Sequence, residues 1–276
     1  MQPAQRLGAA ISRRQFLLAA GLVAATGATA VTAVTIAAQP PTQRRTIIAA
    51  RRPGPGDPPS SHSPNQPGVP ALAKPVFTLA DFRKAVPGPA FASNAVALTI
   101  DDGPHPVWTP KILDLLAQHH IPATFFLIGN QVRGHASVAR SVADAGHRVA
   151  NHTYTHPTAL PTLSEVDMHN EIQRAQDRIH EATGQVPTLF RSPGGGWSPP
   201  LMGQIARAGL TPIDWSDDPH DWKRPGAPAI VSTLESCRPG QILLCHDGGG
   251  NRSQTYTALQ AVIPALLARG YTFVAL

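Results

Sequence analysis

Two adjacent carboxylates, Asp101 and Asp102, follow a run of small and apolar residues at positions 95–100. That run predicts a buried strand. A strand that ends in two negative charges is unusual, because like charges at close range raise each other's pKa. A solvated Asp-Gly turn would also explain the pair, since both residue types are common in turns. Residues at the other predicted strand ends decide between a turn and a chemical site.

Two histidines, His152 and His156, lie in the sequence NHTYTHPTAL, after a predicted strand at 147–150. A spacing of four would place them on one face of a helix, but the Thr-Tyr-Thr run and the following Pro157 favour an extended loop. The glutamate that follows the first histidine of a zincin helix is missing. Two imidazoles on a loop, with an aspartate from another strand end, would supply three metal ligands and leave one position open for water. That is the pattern of a catalytic zinc site.

Three later segments carry further polar side chains at predicted strand ends. Arg191 precedes the glycines of LFRSPGGGW, whose backbone N–H groups could donate to an oxyanion or simply form a turn. The loop DWSDDPHDW, residues 214–222, combines carboxylates with two tryptophans, which suits either a carbohydrate pocket or an exposed loop. His246 ends the run ILLCH, and Leu244 points the same way two residues earlier. The histidine could therefore act as a general acid beside a small apolar pocket.

Alternating strands and helices must position these side chains. Apolar runs predict strands at 95–100, 123–129, 147–150, 187–190, 210–214, 241–245 and 271–275. One helix is predicted to begin after an N-cap at Thr109, with Pro110 as its first residue. Five more helices are predicted at 131–145, 164–182, 199–208, 227–236 and 254–269. The alternation indicates a parallel α/β architecture, and seven strands favour a barrel over an open sheet. In a barrel, the carboxyl ends of the strands carry the chemistry.

The helix at 164–182 has the strongest pattern. Ser164 and Asp167 resemble a capping pair, and Gly184 is placed to end the helix. Helical spacing puts one apolar stripe on a single face, made of Met168, Ile172, Ala175, Ile179 and Ala182. We interpret this stripe as part of the core.

Charge is distributed unevenly along the chain. The net charge is +6, but residues 1–75 hold eight basic residues and one acidic residue, whereas residues 76–276 hold fifteen basic and sixteen acidic residues. A nucleic-acid-binding domain keeps its positive charge on the folded surface. The charge pattern therefore argues against nucleic acid as a partner.

The first 75 residues have the composition of an export signal and a linker. Arg13 and Arg14 precede an apolar run at 16–38, which resembles a twin-arginine export signal. About 20 apolar residues could instead form a membrane anchor. Residues 39–75 contain ten prolines and predict an extended, disordered spacer. We predict a signal or anchor at 1–38, a linker at 39–75 and a folded domain at 76–276, located in the cell wall or outside the cell.

Two cysteines, Cys237 and Cys245, are too few for a disulfide scaffold. No histidine or cysteine stands near them at the spacing of a metal site. They could pair with each other after export.

Five motifs, TIDDGP, HTYTH, RSPGG, DPHDW and LCH, occur in this order over residues 99–246. Together they resemble the motifs of the polysaccharide deacetylases of carbohydrate esterase family 4, the NodB-homology domain, and the similarity covers residues 94–276. The resemblance implies a deformed (β/α) barrel and one divalent metal ion, Zn²⁺ or an alternative such as Co²⁺. It implies Asp102, His152 and His156 as the metal ligands. It also implies hydrolysis of N-acetyl groups on a β-1,4-linked glycan.

The same resemblance implies roles for four further polar side chains. Asp101 would be the catalytic base, and Arg191 would hold it in place. His246 would be the general acid that protonates the leaving amine, and Asp221 would tune that histidine. The two adjacent carboxylates would then have different roles, one binding the metal and one remaining free.

The substrate side of the site follows from the same motifs. The backbone N–H of Gly194 would bind the oxyanion, Trp222 would form a wall of the site, and Leu244 would line the acetyl pocket. The chain departs from the family pattern at two positions. Ile100 stands where phenylalanine is common, within the core, and Gly194 stands where an aromatic residue is usual. The second departure leaves the choice of substrate open.

These inferences predict an exported, monomeric, metal-dependent enzyme that removes N-acetyl groups from an acetylated polysaccharide. Peptidoglycan is the expected substrate, because an export signal and a long linker suit a cell-wall enzyme. An O-acetyl esterase acting on acetylxylan or a similar polymer would use the same residues. A non-catalytic wall-binding module is a third alternative, but it predicts the loss of a ligand, base or acid, and all of these are present. The membrane would be a partner only through an uncleaved N-terminal segment.

Overall fold

A computed structural model describes residues 72–276, which form a curled parallel sheet surrounded by helices. The strands are β1 (Ala95–Asp101), β2 (Thr124–Leu127), β3 (Arg148–Asn151), β4 (Leu189–Phe190), β5 (Thr211–Pro212), β6 (Ile242–His246) and β7 (Thr272–Val274). The helices are α1 (Leu79–Ala85), α2 (Trp108–Gln118), α3 (Gly129–Gly134), α4 (Ala136–Asp144), α5 (Glu165–Thr183), α6 (Pro199–Arg207), α7 (Ala227–Glu235) and α8 (Ser253–Ala268). This architecture confirms the predicted deformed (β/α) barrel of seven parallel strands.

The sheet has the order β5-β4-β3-β2-β1-β6, and β7 pairs with the first residues of β1. All of these pairings are parallel. Between β5 and β6, the described residues continue the ring only through three isolated bridges, which pair Val76 with Ile213, Thr78 with Gln241, and Asp217 with Leu243. The barrel is therefore deformed on this side, where irregular segments replace regular strands.

Alternation along β1 directs its side chains to two different cores. Ala95 and Ala97 join the inner cluster, whereas the residues between and after them pack outward against the helices: Val96, Leu98 and Ile100. Because side chains alternate along a strand, Asp101 continues the inward series. Asp101 is in register with His246 on the neighbouring strand β6. The fold thus brings the two predicted catalytic side chains to one end of the barrel.

Several predicted boundaries are wrong in detail. Helix α2 begins at Trp108, and the hydroxyl of Thr109 does not cap it. That hydroxyl accepts a hydrogen bond from the backbone N–H of His105 at 2.7 Å and donates to Asp247, so it ties a loop to the end of β6. The predicted helix at 131–145 is two helices, α3 and α4, which are separated by His135. Strands β4 and β5 have two residues each, and α1 was not predicted.

Helix α5 confirms the strongest helix prediction. The hydroxyl of Ser164 accepts from the backbone N–H of Asp167 at 3.1 Å, and Gly184 closes the helix at φ 74°. The predicted stripe is buried along its length, from Met168 to Ala182.

The described part of the chain begins inside the predicted linker. Leu72 packs against two hydrophobic clusters, and Pro75 is buried. Leu72 and Pro75 therefore pack directly on the domain that we predict from residue 76. The predicted signal at 1–38 and the linker residues 39–71 lie outside the described residues. Within residues 72–276, none of the helices has both the length and the apolar composition needed to cross a bilayer.

The two cysteines are free thiols in the hydrophobic core. Burial raises the pKa of Cys237 to about 11 and that of Cys245 well above its usual value. The disulfide that the sequence allowed is not formed.

Candidate active site

The turn after β1 separates the two adjacent carboxylates. Asp102 adopts φ 74°, a left-handed conformation that is strained for a residue other than glycine, and the chain then turns through Gly103 and Pro104. Asp101 points to the buried guanidinium of Arg191, whereas Asp102 faces two histidines. The strained turn thus gives neighbouring residues two different environments.

The loop after β3 is strained as well, and its own side chains hold it. Thr153 and His156 have φ values of 65° and 63°. The backbone N–H of Thr153 donates to Asn151 Oδ1 at 2.9 Å, and the backbone N–H of His156 donates to Thr153 Oγ1 at 3.0 Å. Glu171 of α5 accepts from two backbone N–H groups in the middle of the loop, at 2.9 and 2.7 Å. This network fixes the loop at the carboxyl end of β3.

Asp102, His152 and His156 form a candidate metal centre. One ligand atom from each residue lies within 4.8 Å of the other two. Asp102 Oδ1 is 3.5 Å from His152 Nε2 and 3.2 Å from His156 Nε2, yet this buried oxygen has no hydrogen bond within residues 72–276. A buried polar atom without a partner, opposite two imidazole nitrogens, fits a divalent cation.

The orientation of His152 supports the same conclusion. Its Nδ1 lies 2.8 Å from the backbone carbonyl of Arg191, which can only accept a hydrogen bond. Nδ1 therefore carries the proton, and the lone pair of Nε2 points to Asp102. Burial opposes the charge on Asp102, but the two imidazoles in their protonated form outweigh it and hold the pKa of Asp102 well below its usual range. A metal ion bound in the cluster would take the place of those protons. An ionised carboxylate and a neutral imidazole are the ligand forms that a metal requires.

Arg191 is completely buried and holds Asp101. Its Nη1 donates to Asp101 Oδ1 at 2.7 Å and to Thr99 Oγ1 at 2.9 Å, and its Nη2 donates to the backbone oxygen of Asp214 at 3.0 Å. The guanidinium also lies 4.1 Å from the centre of the Phe126 ring. A guanidinium fixed on three sides leaves the Asp101 carboxylate little freedom to move.

His246 and Asp221 form a second fixed pair. Asp221 Oδ1 accepts from His246 Nδ1 at 2.6 Å. Asp221 Oδ2 accepts from the backbone N–H of His246 at 2.9 Å and from Thr255 Oγ1 at 2.8 Å. Nδ1 of His246 is therefore engaged, and Nε2 is left for the site. Burial disfavours the charged imidazole, but Asp221 outweighs it and raises the pKa of His246 to about 9.

A cavity of about 520 Å³ opens on the candidate metal centre. Four of the predicted site residues line it directly: Asp102, His156, Gly194 and Trp222. Trp222 is 49% exposed, as a rim residue would be. Asp101, His152, Arg191, Asp221 and Leu244 are buried, and His246 is largely so. The structure gathers the predicted residues at the carboxyl ends of the strands, although Leu244 does not line this cavity.

Residues that the sequence interpretation missed support the site from the helices. Glu171 holds the histidine loop, and Thr255 of α8 donates to Asp221. Neither position is distinguishable in the sequence from an exposed polar residue of a helix. Arg252, which also lines the cavity, follows a glycine run directly after β6, and that run was a usable signal.

This geometry joins a candidate metal centre to a base and an acid on a (β/α) barrel, which is the arrangement of a hydrolase. The sequence profile of the family "Polysaccharide deacetylase" matches residues 89–213. A chitooligosaccharide deacetylase of Rhizobium leguminosarum bv. trifolii is 43% identical over 189 residues, covering 64% of this chain and 87% of the relative. The chain therefore belongs to the polysaccharide deacetylases of carbohydrate esterase family 4.

Two further similarities agree with this assignment. A peptidoglycan-N-acetylglucosamine deacetylase of Bacillus cereus is 39% identical over 182 residues, covering 65% of this chain and 84% of the relative. The crystal structure of a peptidoglycan N-acetylglucosamine deacetylase aligns with a TM-score of 0.66 and 33% identity, covering 73% of this chain and 90% of that one. Both the sequence and the fold are thus similar to those of deacetylases.

Proposed function

We propose that this protein is an exported, metal-dependent N-deacetylase of peptidoglycan. The observation that carries the proposal is the convergence of one carboxylate and two imidazoles beside two separate fixed pairs, Asp101 with Arg191 and His246 with Asp221. A base and an acid on either side of a candidate metal centre are the parts that amide hydrolysis needs.

Asp102, His152 and His156 would hold the divalent cation, with zinc as the first choice for a carboxylate and two imidazoles. When bound, the cation would polarise the acetyl carbonyl and lower the pKa of the attacking water. The chain's own residues would then handle the protons. Asp101 would accept the proton of the attacking water, since it is held by Arg191 and is not one of the three ligands.

His246 would protonate the leaving amine. Its Nδ1 is engaged by Asp221, so the proton to be transferred is on Nε2. An amide nitrogen is a poor leaving group until it gains a proton, and an acid that is charged at neutral pH meets this need. The backbone N–H of Gly194, at the cavity wall, would donate to the oxyanion.

Peptidoglycan as substrate is supported by two of the relatives, which are named as peptidoglycan N-acetylglucosamine deacetylases, and by the predicted export signal and linker. The exposed face of Trp222 at the cavity rim suits stacking against a sugar ring. The 43% identical relative is named as a chitooligosaccharide deacetylase, so a neutral N-acetylglucosamine oligomer is the second candidate substrate.

One experiment tests both the activity and its substrate. Acetate release is measured in parallel from peptidoglycan, chitin oligomers and acetylxylan, with the protein stripped by a chelator and then supplied with Zn²⁺ or Co²⁺. We expect release from the N-acetylated glycans that disappears on stripping and returns with the ion. Faster release from acetylxylan would favour the O-acetyl esterase. No release from any glycan by the metal-loaded protein would favour a binding module.

The pH dependence tests the role of Asp221. A raised folded-state pKa means that His246 keeps its proton below about pH 9 and loses it above, so turnover should fall on the alkaline side. A bound metal ion disfavours the positive charge of the nearby His246 imidazolium. The alkaline limb of the pH–rate profile should therefore lie at or below about pH 9. Asp221→Asn should shift the limb to lower pH, because it removes the charge that raises the pKa. A pH–rate profile with an unshifted alkaline limb would contradict the assignment.

A further inference from the structure

Arg252, at the start of α8, is a buried cation that the proposed chemistry does not use. Only 4% of the residue is exposed, although it lines the cavity. Its Nε donates to the backbone oxygen of Gly248 at 2.5 Å. Its Nη2 lies 3.8 Å from Asp102 Oδ2, which is too far for a hydrogen bond. Within residues 72–276, its two terminal nitrogens make no hydrogen bond.

Glycines keep this guanidinium open to the cavity. A Cβ atom on Gly249 would lie 2.8 Å from Arg252 Nη2 and 2.9 Å from Asp102 Oδ2. Gly249 also has φ 72°, which favours glycine. A side chain at this position would therefore crowd both the guanidinium and the carboxylate. The loop after β6 is built so that the cation faces the cavity from beside the candidate metal centre.

Among the described residues, Asp102 is the one acidic group at ion-pair distance from Arg252, and it also faces the two histidines of the candidate metal centre. Asp101 is paired with Arg191, and Asp221 is paired with His246. Asp102 is the one acidic side chain among the described residues that line the cavity. A metal ion bound at the candidate metal centre would neutralise the charge of this carboxylate. A buried guanidinium whose terminal donors are free, and whose one nearby carboxylate belongs to the candidate metal centre, favours a ligand that brings a further carboxylate.

We propose that Arg252 binds a carboxylate on the glycan and selects an acidic acetylated sugar, so that the N-acetyl group removed belongs to a residue carrying, or linked to, a carboxylate. In peptidoglycan, the lactyl group of an N-acetylmuramic acid that carries no stem peptide supplies this carboxylate, because an attached peptide converts it to an amide. The inference rests on the proposed deacetylation and deepens it, because a neutral chitin oligomer has no group for Arg252 to bind.

Binding can be tested separately from turnover. We would load Asp101→Asn protein with Zn²⁺ and measure its affinity by calorimetry for two tetrasaccharides of alternating N-acetylglucosamine and N-acetylmuramic acid. One has free lactyl carboxylates, and in the other they are amidated. We expect tighter binding of the acidic glycan. Adding Arg252→Gln should weaken that binding about 10- to 100-fold, as expected for a charged hydrogen bond, and change binding of the amidated glycan less than about threefold.

Two further variants control for structural effects. Arg252→Lys should recover part of the preference, because the charge remains but the paired donors do not. Arg140→Gln, an exposed residue of α4, should leave both affinities unchanged. The affinity for Zn²⁺ alone should change less than about threefold in Arg252→Gln.

Several results would overturn the proposal. Equal weakening for both glycans, or weaker Zn²⁺ binding in Arg252→Gln, would show that Arg252 only supports Asp102. Equal affinity of the protein with intact Arg252 for the two glycans would show that the carboxylate is not recognised. If the acidic glycan binds selectively but the protein with intact Asp101 releases no acetate, the assignment of Arg252 stands and the proposed activity fails.

Discussion

Asp101→Asn is expected to abolish nearly all turnover while the protein still binds its metal ion. Asp102, His152 and His156 stay in place, so Zn²⁺ affinity should change little. The asparagine amide cannot accept a proton from water, and general bases typically contribute about 10²- to 10⁴-fold to a rate. Acetate release measured beside a Zn²⁺ titration of the same sample separates the two effects.

Stability must be controlled in this variant, because Arg191 loses the one ion pair that it makes within residues 72–276 while remaining fully buried. Breaking one partner of a buried pair typically costs about 3–5 kcal/mol. Two remaining acceptors, Thr99 Oγ1 and the backbone oxygen of Asp214, limit the damage. Asp214→Asn is a matched control, since its carboxylate is also buried and near Arg191. That control should keep turnover within about tenfold. Loss of Zn²⁺ from Asp101→Asn would mean that the roles of the two aspartates are exchanged.

The sequence predicted much of the fold because a parallel barrel leaves strong local signals. Apolar runs located all seven strands, and the amphipathic pattern of α5 located its cap, its buried stripe and its terminal glycine. Boundaries failed where tertiary contacts override local preference. Thr109 is a good capping residue, yet its hydroxyl bonds to His105 and Asp247 instead. The break between α3 and α4 at His135 directly follows Gly134, a residue type that often ends a helix, and the prediction of one continuous helix did not use this signal.

The candidate site was predictable to a similar extent. Motifs identified the residues at strand ends, but they did not specify how each side chain is held. From the sequence alone, Glu171 would be placed on the exposed face of a helix. Only the tertiary fold shows that it contacts the loop that carries His152 and His156. The left-handed conformations of Asp102, Thr153 and His156 are likewise not visible in the sequence. Asp and His are enriched among non-glycine residues with positive φ, but most residues of all three types still have negative φ.

Strain at these positions follows from what the site requires. A carboxylate and two imidazoles must meet from two loops, and adjacent aspartates must point to different partners. Residues in left-handed conformations cost about 1–3 kcal/mol each, and they persist only where surrounding contacts fix them. Here the hydrogen bonds of Asn151, Thr153 and Glu171 supply such contacts. The hydrogen bonds that hold the loop are therefore as much a part of the site as its ligands.

His246→Ala should slow amide hydrolysis much more than ester hydrolysis. An amine must gain a proton before it leaves, whereas the alkoxide of an acetate ester leaves more readily. We expect a loss of about 10²- to 10⁴-fold on an N-acetylated glycan, the usual contribution of a general acid, and a loss of about tenfold or less on an O-acetylated one. Acetate release from the two substrates, measured with one preparation, gives the ratio.

The structure offers a matched control for this variant. His169 is an exposed histidine on α5, so His169→Ala should leave both rates unchanged. Zn²⁺ binding should survive in His246→Ala, because His246 is not one of the three candidate ligands. The substitution also leaves Asp221 with two of its hydrogen bonds, from Thr255 and from the backbone N–H of residue 246, so the local fold should remain. If both substrates slow by the same factor while Zn²⁺ binding is intact, His246 does not protonate the leaving amine, and another group must supply that proton.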